Sequence, residues 1–539
     1  MEMSLSMEYD AFLMDEEYAD AAFKLLVNHI SRTEVFDKQE TRLSLLNYPP
    51  SQQPLPLSHL HGDETLASLL HSGFLRTSER HPGRHALDYR SETAQFTLTY
   101  RQLDDITTSL AHKLRSSIPR PSHPAQTIVP AYMEASAAFY ISWLAVLKAG
   151  FAFCPLPVSA TALELQHIIE DACAVVVLTD GPMLSGRPWD AWYCDDDELS
   201  ACFDINEFIT NWMQISPIPE RRPLPSIAET DLAYVMYSSS STGVPIGVKM
   251  SHLAASCAIA SHCKHIPSHM CNRGFRWLQS APLTSDVSTL EISTTWWTGG
   301  TLCSVSKGLL FSDMTTAINR VSATITTVTA NVASTIDSAN TPSLRQLWCT
   351  GKPFSSSLLE RLAIKSHTPY RSLALLHLYT PLGCSMSTAV LSVDPAVRST
   401  IIGSPHPTTS LLLIDPLTKS PVPIGAVGDL YISGPQLSSG FLNRPDLDAT
   451  HFCTSSTYGR LYKTYERGRL VKDQNGEFVV EVLRGEQGIE GEVKEEESAD
   501  EGSVTSMVDS FTEAGVVAED KEMDVTEANV LSLIGRLQT

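Results

Sequence analysis

A run of hydroxyl side chains ended by glycine stands out first. It comprises Ser238, Ser239, Ser240, Ser241, Thr242 and Gly243, within Tyr237-Ser-Ser-Ser-Ser-Thr-Gly-Val-Pro-Ile-Gly-Val248. It directly follows the apolar segment 232–236, which reads as a strand. Hydroxyls and free backbone N–H groups in a turn after a strand suit phosphate oxygens. The G-x4-G-K-[ST] order of a Walker A loop is absent. On composition alone such a turn also fits a solvated surface loop. A second group, Cys257, His262, Cys263, His265, His269 and Cys271, contains residue types that bind zinc. Its spacing matches no paired knuckle arrangement, and 253–263 reads as a helix rich in small residues, so no metal site is assigned.

These groups sit within a regular alternation. Strand-like runs at 96–100, 128–133, 151–155 and 175–179 alternate with helical patterns at 66–80, 103–114, 135–149 and 163–172. That rhythm predicts parallel sheets with crossover helices, hence an α/β protein. Past residue 400, short strands at 411–414, 428–433 and 461–464 between Pro/Gly turns predict a smaller β-rich unit. Residues 1–64 read as an extension, with a helical pattern at 15–29 and a Pro-rich linker at 48–57. Residues 65–400 read as the α/β core and 401–485 as its β-rich subdomain. Residues 486–539 read as an acidic, largely disordered tail with a short terminal helix at 525–537.

The totals narrow the class. A chain of 539 residues, 43% apolar and 19% charged, is globular and too long for one core. Of the net charge of −22, much lies at 486–527, where 15 acidic residues face 2 basic ones. No clustered basic face argues for nucleic acid. The most apolar stretch, 135–147, is too short to span a bilayer and reads as a buried helix. Eleven scattered cysteines and an acidic N-terminus point to the cytoplasm and reduced thiols.

The Ser/Thr/Gly loop, followed by His252, is similar to a signature of the adenylation domains of nonribosomal peptide synthetases, within the acyl-CoA ligase and luciferase superfamily. Other segments resemble that family in the same order: Leu98-Thr-Tyr-Arg-Gln-Leu103, Leu144-Ala-Val-Leu-Lys-Ala-Gly-Phe-Ala-Phe-Cys-Pro155, Ser285-Asp-Val-Ser-Thr-Leu-Glu-Ile292, and Gly425-Ala-Val-Gly-Asp-Leu-Tyr-Ile-Ser-Gly434 through Gly440-Phe-Leu-Asn-Arg-Pro445. Several also resemble fungal synthetases of the hydroxamate-siderophore type. The resemblance implies an adenylate-forming fold: a large N-terminal α/β domain with parallel sheets, a small β-rich unit, and a C-terminal lobe truncated or missing.

What the resemblance implies chemically is ATP-dependent activation of an amino acid as its aminoacyl-AMP. The acyl group then passes to the phosphopantetheine thiol of a separate carrier protein. Ser238 to Gly243 would hold phosphates, Tyr379 would stack on adenine, and Glu466 would stand where the family grips the ribose. Asp286 would pair with the substrate ammonium, with Val287 and Leu290 beside the substrate side chain. A bland alternative leaves Asp286 as a helix cap for 288–297.

Departures from the pattern fall at the working atoms. The family's loop glycine and lysine are Ser240 and Ile246. Its phosphate-touching threonine and Mg2+-associated glutamate are Leu382 and Gly383, and Lys352 reverses a charge near Trp348. No segment like the family's catalytic-lysine motif follows, so no catalytic residue and no metal ligand is assigned. ATP is expected as cofactor, and Mg2+ only against the loss at Gly383. The competing expectation is therefore a catalytically impaired remnant that binds nucleotide or a partner.

Overall fold

The computed structural model describes residues 69–92, 95–118, 127–181, 201–215, 224, 226–238, 244–351, 354–364, 373–393, 400–473, 476 and 478–483. The expected features at 15–29, 48–57 and 486–539 lie outside these residues.

Periodicity and capping place the helices. In Tyr100–Ser117, Leu103, Ile106, Leu110 and Leu114 fall on one buried face. Thr99 and Gln102 close its first turn as a reciprocal capping box. The apolar run forms the helix Ala137–Ala149, capped by the Ser136 hydroxyl and ended by Gly150 in the left-handed region. Residues 138–149 are all buried, Lys148 included. Its ammonium donates to the Asp104 carboxylate (2.6 Å) and to the hydroxyls of Thr107 and Thr108 (2.7 and 3.0 Å), which ties the two helices together. A buried cation is tolerable only with such partners.

Among the described residues the strands form two sheets. In the seven-stranded sheet, Ala152–Pro155, Ile128–Tyr132, Val176–Thr179 and Ala201–Asp204 run parallel. Leu232–Ser238 joins them and turns back antiparallel into Ile246–Ser251. The fourteen-stranded sheet has a parallel half that includes Ile325–Thr329, Gln346–Thr350 and Ala374–Tyr379. Its antiparallel half carries Ser410–Ile414, Gly428–Ser433, Gly459–Lys472 and Phe478–Leu483. The halves are continuous, because Ala389–Ser392 pairs with Ile401–Pro405 across the sequence boundary placed at 400.

The largest core draws on both sheets, from Ala86 and Trp348 on one to Val129 and Phe153 on the other. Running through it is the helix Asp286–Trp297, buried from Val287 to Trp296 although Ser288, Thr289, Glu291, Ser293, Thr294 and Thr295 are polar. Trp296 packs edge-on against Phe74 and Trp143 and donates its indole N–H to the Ala86 carbonyl (2.9 Å). Trp296→Ala should therefore cost about 3–5 kcal/mol of stability in urea unfolding. A loss below about 1 kcal/mol would show that the helix is not anchored there.

Candidate functional site

Three clusters of residues singled out in the sequence can be followed from their elements. Ser238 ends the strand Leu232–Ser238, and its hydroxyl is buried with no hydrogen-bond partner among the described residues. Ser239, Ser240, Ser241, Thr242 and Gly243 lie outside the described residues. Beside the loop, Tyr237 donates its hydroxyl to Asp171 (2.8 Å), which also accepts from Asn443 (2.9 Å). Ile246, at the position of the family lysine, faces into the main core. Lys249 lies an odd number of strand residues away, so its side chain leaves the opposite face of the sheet.

Asp286 is the first residue of its helix. The cap is Ser285, whose hydroxyl accepts the Val287 N–H (3.3 Å). Asp286 instead reaches across to residues 380–388 and accepts the Met386 N–H at 2.7 Å. Burial pushes its carboxyl up to about 7, against the opposing pull of that N–H and those at the head of its own helix. Glu291, further along the helix, holds the approach to it by accepting the backbone N–H groups of Ser280 and Ala281 (both 3.2 Å) and the Gln279 amide (3.0 Å). Its own carboxyl is pushed up to about 8 by burial. Val287 is buried, and Leu290 is fully enclosed in the main core.

Tyr379 and Glu466, 87 residues apart in sequence, meet directly: the phenol donates to the Glu466 carboxylate. Tyr379 ends a strand of the parallel half. Glu466 follows Tyr465, which has a positive φ of 63°, on the long strand Gly459–Lys472. Close by, Gly383 has no room for a side chain, since a Cβ there would lie 2.1 Å from the Tyr462 ring. Tyr462 is itself fixed by Phe452 (5.2 Å) and by stacking on His451 (6.2 Å). Leu382 leans on the main core.

With this geometry in hand, comparison with known proteins is decisive. Residues 74–442 match the AMP-binding enzyme family. The chain belongs to that family. It is 34% identical over 530 residues to the nonribosomal peptide synthetase sidC of Aspergillus fumigatus, covering 89% of this chain and 11% of that protein. It is 32% identical over 475 residues to the siderophore peptide synthetase fer3 of Mycosarcoma maydis, covering 83% and 9%. The chain thus spans about a tenth of the length of these curated relatives. Among solved structures, the nonribosomal peptide synthetase FmoA3 in an AMPPNP-bound form superimposes with a TM-score of 0.67 at 20% identity, over 87% of this chain and 48% of that one. The Klebsiella oxytoca NpsA N-terminal subdomain with 3-hydroxybenzoyl-AMSN gives 0.61 at 19%, over 77% and 98%. The described residues therefore have the adenylation-domain fold, with the N-terminal subdomain represented almost whole.

AMP-binding enzymes use ATP and Mg2+. For the nucleotide, the residues present offer a half-buried aromatic ring joined to a carboxylate, and the orphaned Ser238 hydroxyl. For a metal held from 382–383 they do not fit. Neither side chain carries an oxygen, and the Tyr462 ring fills the space beside Gly383. Among the described residues no group of three or more Cys, His, Asp or Glu could hold an ion, the 257–271 cluster included.

Other residues around Asp286 escaped the sequence reading. Met386 is recruited through its backbone, which leaves no side-chain signature. Tyr234 and Ser385 share a buried hydrogen bond (3.1 Å), and His262, Ser387 and His406 form a buried chain. Only the density of histidines near 262 hinted at the latter. Gly383→Glu should lower stability by about 1–3 kcal/mol, read as a fall in Tm that added Mg2+ does not reverse. An unchanged Tm would mean that Tyr462 moves aside freely.

Proposed function

We propose that this chain activates an amino acid with ATP, releasing pyrophosphate, and passes the acyl group to the phosphopantetheine thiol of a separate carrier protein in nonribosomal peptide synthesis, of siderophores in particular. The observation that carries this is Asp286: a carboxylate at the head of a buried helix, held by the Met386 N–H, in a chain similar to peptide synthetases over most of its length. A buried ammonium needs an opposite charge, and a fatty or aryl acid would leave that carboxylate unpaired. In this reading the substrate carboxylate oxygen attacks the α-phosphorus and pyrophosphate departs. The protein's part is positioning. Asp286 fixes the ammonium beside Val287, with Leu290 behind it. Tyr379 and Glu466 receive the adenosine, and Ser238, Ser239, Ser240, Ser241, Thr242 and Gly243 receive the phosphates.

A second reading, nucleotide binding without turnover, is favoured by one observation: the Tyr462 ring stands where a metal-holding side chain at 383 would project. ATP–pyrophosphate exchange across an amino-acid panel separates the two. Activation predicts exchange that depends on a particular amino acid and falls at least ~100-fold in Asp286→Ala. Nucleotide binding by calorimetry with no exchange for any amino acid selects the second reading. Because the Asp286 carboxyl is raised to about 7, it is protonated below that pH and cannot pair with the ammonium. The amino-acid KM should accordingly fall as pH rises from about 6 to about 8. A flat profile would remove Asp286 from the site. Tyr379→Ala should weaken adenine-nucleotide binding by ~10-fold or more, and Glu466→Ala, whose carboxylate only exchanges the phenol for ligand hydroxyls, by less than that, both measured by the same calorimetry.

A further inference from the structure

Met386 is unusual in its backbone. Its φ is +60°, a left-handed conformation that a side-chain-bearing residue adopts only at a cost. Yet its N–H must hold that geometry to stay 2.7 Å from Asp286. Both neighbours are tied down by their hydroxyls. Ser385 shares a hydrogen bond with Tyr234 (3.1 Å). Ser387, fully buried, lies between two buried imidazoles, His262 Nε2 at 2.7 Å and His406 Nε2 at 3.0 Å.

The direction of every hydrogen bond in this chain follows from counting protons. His262 Nδ1 lies 2.6 Å from the Ala258 carbonyl, which only accepts, so Nδ1 carries the hydrogen. Burial keeps His262 neutral, lowering it to about 3, so Nε2 is an acceptor and takes the Ser387 proton. The Ser387 oxygen then accepts from His406 Nε2–H. His406 is also held neutral by burial, and its Nδ1 has no partner among the described residues. The result is a one-way chain from His406 through Ser387 and His262 to Ala258. It fastens residues 380–388 to the helix His252–Cys263 and to the end of the strand Ile401–Pro405.

We propose that His262, Ser387 and His406 are positioning residues for Asp286: their hydrogen-bond chain clamps the left-handed Met386 so that its N–H stays on the carboxylate. The clamp rests on the reading above only for what Asp286 then binds. Removing it frees Met386 to relax, and the carboxylate loses a donor that favours its ionised form. Among the described residues, the other titratable groups facing Asp286 are the Tyr234 phenol and the Cys384 thiol, both kept neutral by burial. Neither can supply the lost stabilisation.

The test follows the Asp286 carboxyl itself, by 13C NMR of protein labelled at aspartate carboxyls, with the resonance assigned from Asp286→Asn. Ser387→Ala and His406→Asn should raise the midpoint by about half a pH unit or more. Ser387→Thr, which keeps the hydroxyl, should titrate as the unmodified protein does. So should Ser261→Ala, which removes a neighbouring buried hydroxyl outside the chain. Unmoved midpoints in folded Ser387→Ala and His406→Asn overturn the proposal. Should neither variant fold, amide hydrogen exchange in the unmodified protein decides. Protection of the Met386 N–H comparable to the amides of Asp286–Trp297 supports the clamp, and exchange at the rate of an open loop refutes it. No substrate is needed for either measurement. Loss of the Asp286 substrate role, seen as Asp286→Asn retaining amino-acid-dependent exchange, is therefore a separate result.

Discussion

A carboxylate removed from water must be given donors by the fold, and Asp286 sets that requirement for much of this structure. Its oxygens lie at the head of a helix enclosed nearly throughout, where the helix dipole and the Met386 N–H are the available stabilisation. The rest of the neighbourhood can be read as support for that arrangement. Glu291 fixes the turn that delivers the helix start, and Ser385 and Ser387 fix the residue that delivers the N–H. Tyr234 and the two histidines reach in from other elements to hold those serines. Polar groups buried this deeply specify geometry because each has few alternative partners.

Much of the scaffold was legible in the sequence. The helices at 103–114, 135–149 and 163–172 and the strands between them appear within a few residues of their expected places, because apolar spacing reports burial directly. The strand His85–Arg90 was not expected. Its pattern is broken by Asp88, buried and paired with Arg90 and Arg276, so a charge occupies a position where alternation would predict an apolar residue. Lys148 misled in the same way: it read as the boundary of the apolar run and is itself buried with it.

At the site, side-chain identities were readable and backbone contributions were not. Asp286, Tyr379 and Glu466 were named by motif position, and Tyr379 and Glu466 do come together. Nothing in the letters Ser285-Asp-Val revealed that the serine rather than the aspartate would cap the helix. Nor could Gly383 disclose that its missing side chain is replaced by a ring from Tyr462, far along the chain and on another strand. Substitution and compensation of this kind are visible only when distant segments are seen side by side.

The contact between Tyr379 and Glu466 bears on how a ligand would be chosen. A carboxylate already satisfied by a phenol gives a newcomer little net free energy, since one hydrogen bond is exchanged for another. Its influence is felt in the comparison between candidates. A molecule offering a well-placed pair of hydroxyls can take over the carboxylate and release the ring to stack. One lacking them must leave the internal bond intact and meet a ring still tethered. If the proposed site takes adenosine, the two residues would act as a single latch that opens for a ligand bearing those hydroxyls.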